Sequence, residues 1–207
     1  MMYTGKQTNK EKIKMKKSNL PLNESQIVKI LKKIDCIDIV YKDNNLYIIA
    51  NYFALKIDDV ALQNYQKLQM YIRSIFGNIQ EGEAFTYKKE SGTQTRDCNC
   101  IDIFPENYMQ YTFEYQWTKL YYYVHDALWT SNKACIFKTQ STDSENKYTF
   151  IAEDLIEFCN ILADDTLNIR GYNDRKHPVY IQSQNSEFIL ILMPMNIKDN
   201  IEFLNYV

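Results

Sequence analysis

The chain has 207 residues, of which 45% are hydrophobic and 24% are charged, values typical of a folded soluble protein. A length of this order allows one large domain or two small ones. The formal net charge of −2 excludes an overall electrostatic attraction to DNA or to a membrane surface, so any nucleic-acid contact must be local.

Residues 1–18 are predicted to form a disordered basic arm, because six lysines lie there among few apolar side chains. No apolar run follows the arm, and no later stretch approaches the roughly 18 uninterrupted apolar residues of a membrane-spanning helix. We therefore expect a soluble, intracellular protein without a membrane partner. Beside a DNA-binding surface the arm would add phosphate contacts or serve as a nuclear address; otherwise it only solvates the terminus.

Residues 25–34 are predicted to form an amphipathic helix. Its apolar residues follow the i, i+3, i+4, i+7 pattern of one buried stripe, at Ile27, Ile30, Leu31 and Ile34. Lys29, Lys32 and Lys33 fall together on the opposite face. These lysines form a solvated surface or, if the helix lines the hole of a ring, a surface that meets phosphates without reading bases.

Three strands and a second helix follow. Short apolar runs separated by polar turns predict the strands, at 36–41, 45–51 and 54–57. The second helix is predicted over 63–76 and ends at Gly77. Its inner stripe consists of Leu68, Tyr71, Ile72 and Ile75. Lys67 and Arg73 lie off this stripe, on the exposed side of the predicted helix.

The middle of the chain is predicted to contain a third helix over 116–129. Its body is aromatic, and large aromatic side chains pack against a sheet more often than they stack on nucleic-acid bases. Residues 88–99 are predicted to form a mobile hairpin tip, and residues 105–107 the link between two halves. The predicted divisions are 1–18, 19–105, 106–196 and a short carboxy-terminal tail over 197–207.

The last part of the chain repeats the order of the first. A lead strand at 148–150 precedes a fourth helix at 153–163, whose outer face is acidic. Three strands then follow, at 166–173, 178–183 and 187–193. Helix-plus-hairpin units thus occur twice, and the pattern predicts an α+β chain of antiparallel sheets with helices on one side.

No catalytic or metal-binding constellation is visible. The five cysteines are odd in number and scattered, which suits a reducing compartment and lacks the four-ligand spacing of a structural zinc site. His125 is interpreted as a half-buried side chain whose ring bonds to a neighbour, and His177 as an exposed residue in a polar turn; neither interpretation needs a catalytic role. Paired carboxylates suit helix caps and turns better than acid–base chemistry. We therefore expect a non-enzymatic protein with no metal and no cofactor.

Several segments resemble the DNA sliding clamp superfamily. The opening of eukaryotic clamps is similar to residues 27–39, 45–51, 54–57 and 60–65. The last repeat of the Rad-nine subunit of the nine-one-one DNA-damage checkpoint clamp is similar to residues 147–158, 167–170, 178–181 and 188–192. The ending Leu192-Met193-Pro194-Met195 resembles that of the bacterial replicative clamp. The resemblance covers roughly half of the chain through apolar and turn positions.

The resemblance implies a nuclear, non-enzymatic ring subunit that encircles duplex DNA without sequence preference, with two clamp-like domains, sheets outside and helices on the inner face. Its partners would be other clamp subunits in a hetero-trimer, a clamp loader, and repair or checkpoint proteins. The residues that match the DNA-facing helix positions are Lys29, Lys32, Lys33, Lys67 and Arg73. The partner-peptide pocket would involve Met193, Pro194 and Met195. Strands near 83–88 and 134–137 would form the edges that pair with neighbouring subunits.

The chain also departs from the clamp pattern. Residues 79–147 are too few for full copies of the second and third repeats, and only residues 196–207 follow the final strand where the checkpoint subunit has a long tail. A replicative processivity clamp is the alternative of the same class. A protein-interaction module without DNA binding is the alternative of another class, and an enzyme would require a deep polar pocket around His125 or the aspartate clusters.

Overall fold

A computed structural model describes residues 20–104, 113–123, 133–139, 148–159, 167–171, 177–183, 185, 187–195 and 197. The predictions for the basic arm, the link at 105–107 and His125 lie outside these residues. The helices are α1 (Glu24–Leu31), α2 (Asp59–Leu62), α3 (Gln66–Phe76) and α4 (Glu153–Ile156), and a 3-10 helix spans Cys98–Ile103.

Within the described residues, eleven strands form one antiparallel sheet. They are β1 (Cys36–Lys42), β2 (Asn45–Ala50), β3 (Phe53–Asp58), β4 (Ala84–Lys88), β5 (Gly92–Thr95), β6 (Phe113–Tyr123), β7 (Lys133–Thr139), β8 (Tyr148–Ala152), β9 (Leu167–Gly171), β10 (Val179–Ser183) and β11 (Phe188–Leu192). Their order across the sheet is β5-β4-β1-β2-β3-β11-β10-β9-β6-β7-β8. The described chain is therefore mostly antiparallel sheet with few helices, in agreement with the predicted α+β class.

The order of a helix followed by a three-stranded meander occurs twice, as the sequence predicts. Strands β1, β2 and β3 follow α1, and strands β9, β10 and β11 follow α4. The two meanders meet through their last strands, because β3 and β11 pair antiparallel with Leu55 opposite Leu190. Both leucines are fully buried, so the centre of this joint is also part of the hydrophobic core.

The core lies on the sheet face that the helices cover. Alternate residues of the strands point to it, as the period of a strand requires, among them Ile39, Ile48 and Leu190. Ile27 of α1 and Leu68 of α3 belong to the same cluster and are fully buried. The predicted inner stripe of α1 is thus confirmed, and that of α3 is confirmed at Leu68 and Ile72, whereas Tyr71 and Ile75 are only partly buried.

The carboxy-terminal half of the sheet curves strongly. The backbone N–H of Met195 donates a 2.8 Å hydrogen bond to the carbonyl of Phe150 in β8. Five strand spacings separate β11 from β8, about 24 Å in a flat sheet, whereas three residues beyond Leu192 reach only about 10 Å. The sheet must therefore curl until β8 approaches the segment that follows β11. The rings of Phe53 and Phe158 also meet across the two halves, 4.8 Å apart and edge to face.

The predicted third helix is wrong over residues 116–123, which belong to strand β6, and the rest of it at 124–129 lies outside the described residues. Tyrosine, tryptophan and phenylalanine favour strands, and up to Trp117 the larger aromatic side chains occupy alternate positions. The fourth helix is shorter than predicted: α4 ends at Ile156, and Cys159 forms an isolated antiparallel bridge with Leu22. Tertiary pairing with the start of the chain replaces helical bonding there.

The predicted edge strands are also wrong. Strand β4 lies between β5 and β1, and β7 lies between β6 and β8. Within the described residues, the outermost strands are β5 and β8. The predicted hairpin tip at 88–99 corresponds to the hairpin of β4 and β5. Strand β5 is short and polar, so the sequence pattern does not predict it as an edge strand.

Replacing Leu190 by alanine should lower the free energy of unfolding by about 2–5 kcal/mol, because the side chain is fully buried at the joint between the meanders. Urea denaturation followed by circular dichroism measures this change. The exposed Lys42 offers a control, since Lys42→Ala should shift stability by less than about 0.5 kcal/mol. Equal effects of the two substitutions would contradict a core position for Leu190.

Candidate nucleic-acid interface

Helices α1 and α3 are held side by side by a carboxylate that caps one helix from the other. Glu24, in the first turn of α1, accepts hydrogen bonds through Oε2 from the backbone N–H groups of Lys67 (2.7 Å) and Leu68 (3.3 Å). These N–H groups begin α3 and lack partners within that helix. The contact therefore stabilises the start of α3 and fixes it against α1.

The amino terminus of α3 is anchored to the segment before α1 as well. Tyr65 precedes α3, is buried, and accepts a 3.4 Å hydrogen bond from the backbone N–H of Leu22 through its hydroxyl oxygen. Burial is the main cause that raises the pKa of Tyr65 to about 12, so the phenol remains neutral at physiological pH. The two helices thus form one layer. Contacts of Glu24 and Leu22 with the start of α3 fix the position of one helix against the other.

This layer carries the lysines singled out by the sequence. Lys29, Lys32 and Lys33 are exposed on α1 and the turn that ends it. Lys67 is exposed at the start of α3, and its ammonium group donates a 2.9 Å hydrogen bond to the hydroxyl of Ser25 on α1. The structure therefore brings Lys67 to the outward side of α1.

A further lysine joins the group from a distant part of the chain. Lys89, in the turn between β4 and β5, donates hydrogen bonds to the carbonyl oxygen of Lys33 (3.0 Å) and to the Asp35 carboxylate (2.8 Å). Its ammonium group thus lies at the carboxyl end of α1, where a cation is favourable. Local sequence pattern gives no signal for this placement, because the β1–β4 pairing creates it.

The charge on this layer differs in sign from that of the whole chain. Residues 24–33 and 66–76 contain five cationic side chains and a single carboxylate, that of Glu24. This carboxylate accepts two backbone hydrogen bonds and therefore serves as a cap. We use the name cationic helix face for the outward surface of α1, the turn after it and α3 together with the adjacent lysine of the β4–β5 turn. Its lysines are Lys29, Lys32, Lys33, Lys67 and Lys89.

Arg73 lies apart from the cationic helix face. Six residues after Lys67, it is rotated by about 120° around the axis of α3. It lines a cavity of about 540 Å³ between α3, the turn after it and the ends of β1 and β2, together with Tyr41, Asp59 and Gln69. The pKa of Tyr41 is raised, chiefly by burial and by the negative charge of Asp59 beside it. The structure does not group Arg73 with Lys67.

The segment predicted to form a partner-peptide pocket is divided between surface and core. Met193 is 38% exposed, and its backbone N–H donates to the carbonyl of Tyr52 at 3.0 Å, which extends the β3–β11 pairing. Pro194 is partly buried, whereas Met195 is 5% exposed and belongs to the main core. Met193 and Pro194 are therefore the members of this segment that a partner could reach.

The described residues contain no group of three or more His, Cys, Asp or Glu side chains that could hold a metal ion. His177 is exposed. Burial raises the pKa of Cys135 to about 12 and also raises the pKa of Cys159, so both thiols remain neutral at physiological pH. No helix among these residues has the length and hydrophobicity needed to cross a membrane.

Comparison with known proteins gives no family assignment. No protein-family model matches the chain, and no curated protein matches it. Among solved structures, it is similar to a protein designated a DNA polymerase III beta subunit from Eubacterium rectale, with 10% identity and a TM-score of 0.40 over 85% of this chain and 65% of the other. It is also similar to the DNA polymerase III beta chain of Streptococcus pneumoniae, with 10% identity and a TM-score of 0.37 over 90% and 67%.

This chain therefore spans less than two thirds of the length of the Eubacterium rectale protein. TM-scores this low do not define a shared fold. The two similarities therefore carry no argument about the activity or the partners of this chain.

Replacing Glu24 by alanine should lower the free energy of unfolding by about 1 kcal/mol, because the first N–H groups of α3 lose their carboxylate cap. Amide hydrogen exchange should accelerate at the start of α3. Glu24→Gln is the matched control, since it keeps an oxygen acceptor and should lose less. Unchanged exchange in Glu24→Ala would show that the two helices are held together by other contacts.

Proposed function

We propose that this chain is a non-enzymatic sliding-clamp-type subunit that binds duplex DNA without sequence preference and holds partner proteins on it. The cationic helix face carries the proposal. It concentrates four ammonium groups on α1, the turn after it and α3, and a fifth on the adjacent β4–β5 turn, in a chain whose net charge is −2, so that DNA attraction is local, as the composition requires.

The arrangement suits phosphates better than bases. Lysine is a compact point charge on a flexible stem, whereas base reading generally uses planar, bidentate side chains such as arginine, asparagine or glutamine. Within the cationic helix face, Lys29 contacts Gln26 at 3.4 Å and Lys67 contacts Ser25 at 2.9 Å; both partners are neutral, and neither ammonium group forms an ion pair with another of the described residues. Lys89 is the exception, because Asp35 forms an ion pair with it. Binding would follow counterion release and fall steeply with salt.

Assembly into a ring is part of the proposal and would use strand β5. Within the described residues β5 pairs only with β4, and its other side has no strand partner. Strand β8 is the opposite edge, but the N–H of Met195 already occupies the carbonyl of Phe150 there. An exposed edge strand is a template for pairing with a second chain.

The particular form that we propose is a subunit of a hetero-trimeric DNA-damage checkpoint clamp in the nucleus, because residues 147–158 and the strands after them resemble that subunit. It would act with a clamp loader and with repair or checkpoint proteins. A replicative processivity clamp is the alternative within the same class.

A protein-interaction module without DNA binding is the second candidate, and one observation favours it. Met70 on the outward side of α3 is 71% exposed, and Val60 on α2 is 72% exposed. Contiguous exposed apolar patches mark surfaces that bind proteins, and Met70 and Val60 would each contribute an apolar side chain to such a patch. In this case the lysines would only surround an apolar contact.

Reversing three charges of the cationic helix face should distinguish the two. The triple variant Lys29→Glu, Lys32→Glu and Lys33→Glu should bind a short fluorescein-labelled duplex about a hundredfold more weakly than the unchanged protein, and the slope of log K against log salt should fall by up to about 3. Fluorescence anisotropy at several salt concentrations, with two unrelated duplex sequences, measures both quantities.

The matched control reverses three lysines on the opposite face of the sheet. Lys42, Lys56 and Lys88 alternate with core residues of β1, β3 and β4, so they point away from α1 and α3. Their replacement by glutamate changes the net charge equally and should leave most DNA binding intact. Equal losses in both triple variants, or no salt-dependent binding by the unchanged protein, would overturn the proposal and favour the interaction module.

A further inference from the structure

The cavity of about 540 Å³ beside α3 has an aliphatic floor. It opens between α2, α3, the turn after α3 and the ends of β1 and β2, and Leu46, Leu62 and Ile72 are buried there as part of the main core. Pockets that hold small molecules generally measure about 300–1,000 Å³. The cavity is therefore large enough for a small ligand whose body is apolar.

Two charged side chains of opposite sign line this cavity. Asp59, in the first turn of α2, is partly buried, and Arg73 of α3 is exposed. The two do not form an ion pair with each other, and neither forms one with any other of the described residues. A carboxylate and a guanidinium thus face one space, and both charges are available to a ligand.

The neighbouring carboxylates, in contrast, already have structural roles. Asp58 accepts hydrogen bonds from two backbone N–H groups of α2 and caps that helix. Glu81 accepts from two N–H groups in the turn between β1 and β2, at 2.6 and 3.4 Å. Glu83 accepts from the N–H of Gln80 at 2.7 Å. Among the described residues no backbone N–H bonds to the carboxylate of Asp59, so the fold does not use this charge as it uses the other three.

Two further polar groups of the lining have defined hydrogen-bonding states. The pKa of Tyr41 is raised, first by burial and then by the negative charge of Asp59, so its hydroxyl remains protonated beside that carboxylate. Gln69 donates through Nε2 to the carbonyl of Leu62 at 2.6 Å. Its Oε1 is left as an acceptor. The lining therefore offers a donor near the carboxylate and a neutral acceptor on α3.

We propose that this cavity binds a small zwitterion with an aliphatic body, either an ω-amino acid or a dipeptide. The ammonium group of the ligand lies against Asp59, and its carboxylate lies against Arg73, whose guanidinium can bond both oxygens. The aliphatic body covers the apolar floor, and Oε1 of Gln69 accepts from the ammonium group or from a peptide N–H. A ligand with a single charge leaves one of the two protein charges without a partner, which selects for the zwitterion.

The site is separate from the proposed DNA contact, although Arg73 belongs to α3. Arg73 lies about 120° from Lys67 around the helix axis. None of the lysines of the cationic helix face lines the cavity. The triple reversal at Lys29, Lys32 and Lys33 should therefore leave zwitterion binding unchanged, and failure of one proposal is distinguishable from failure of the other.

The test is a titration of the full chain followed by the backbone amide resonances of Gly77 and Asn78, which line the cavity. The ligands are glycine, 4-aminobutanoate, 6-aminohexanoate and 8-aminooctanoate, and separately leucyl-leucine. The shifts should saturate, and one length of the ω-amino acid series should bind best, because its charges must match the separation of Asp59 and Arg73. The tighter of the best ω-amino acid and the dipeptide identifies the source of the zwitterion.

Ligands with one charge provide the first control. Hexylamine and hexanoate should each bind about tenfold or more weakly than the best zwitterion, since each lacks one charge-assisted contact. This comparison uses the unchanged protein and does not depend on the folding of any variant.

Two variants then assign each charge of the ligand to its partner. Arg73→Gln should weaken the best zwitterion about tenfold or more without weakening hexylamine, which has no carboxylate to lose. Asp59→Asn should weaken the zwitterion similarly without weakening hexanoate, and it keeps the cap of α2, because Asp58 supplies that cap. Lys42→Gln and Glu90→Gln are the matched controls, since both residues are exposed, lie outside the lining and lose the same charges.

Three results would overturn the proposal. They are the absence of a saturable shift with every ligand, equal affinities for the zwitterions and the singly charged ligands, and unchanged affinity in both cavity variants. The circular dichroism of each variant shows whether its fold is retained.

Discussion

The pairing of β3 with β11 is the interaction on which the rest of the structure depends. It joins the last strand of each meander, places Leu55 against Leu190 in the core, and makes one sheet from strands that are distant along the chain. Because strand side chains alternate, a shift of this register by one residue would move Phe188, Leu190 and Leu192 out of the main core to the opposite face of the sheet. The helices can cover one common face only while this register holds.

The cationic helix face is a consequence of that shared core. Apolar stripes bind α1 and α3 to the sheet, so their remaining polar residues must point outward, and Glu24 then joins the two helices at the start of α3. A surface with five lysines is tolerated because the ammonium groups remain in water. The proposed role in DNA binding would add no new requirement to the fold, so the same surface is compatible with a solvated layer and with an electrostatic site.

The carboxy-terminal half has a different character, since curvature and irregular strands decide its surfaces. The bond from Met195 to Phe150 brings the end of β11 to β8, which buries Met195 and leaves Met193 and Pro194 accessible. A bulge in β6 places Lys119 and Trp117 beside a second cavity. Both features follow from strand pairing rather than from the packing of helices.

The sequence by itself determined the local elements: the stripe of Ile27, Ile30 and Leu31, the duplicated order of helix and meander, and the outward position of the lysines on α1. Each of these depends on residues within about two helical turns or one hairpin. Tertiary structure alone decided that Lys89 joins Lys33 and that β5 and β8 are the described edges, because these depend on partners that are distant in sequence. Arg73 is a similar case. The helical periodicity predicted that its side chain is exposed, but the packing of α3 against α1 decided which side it faces.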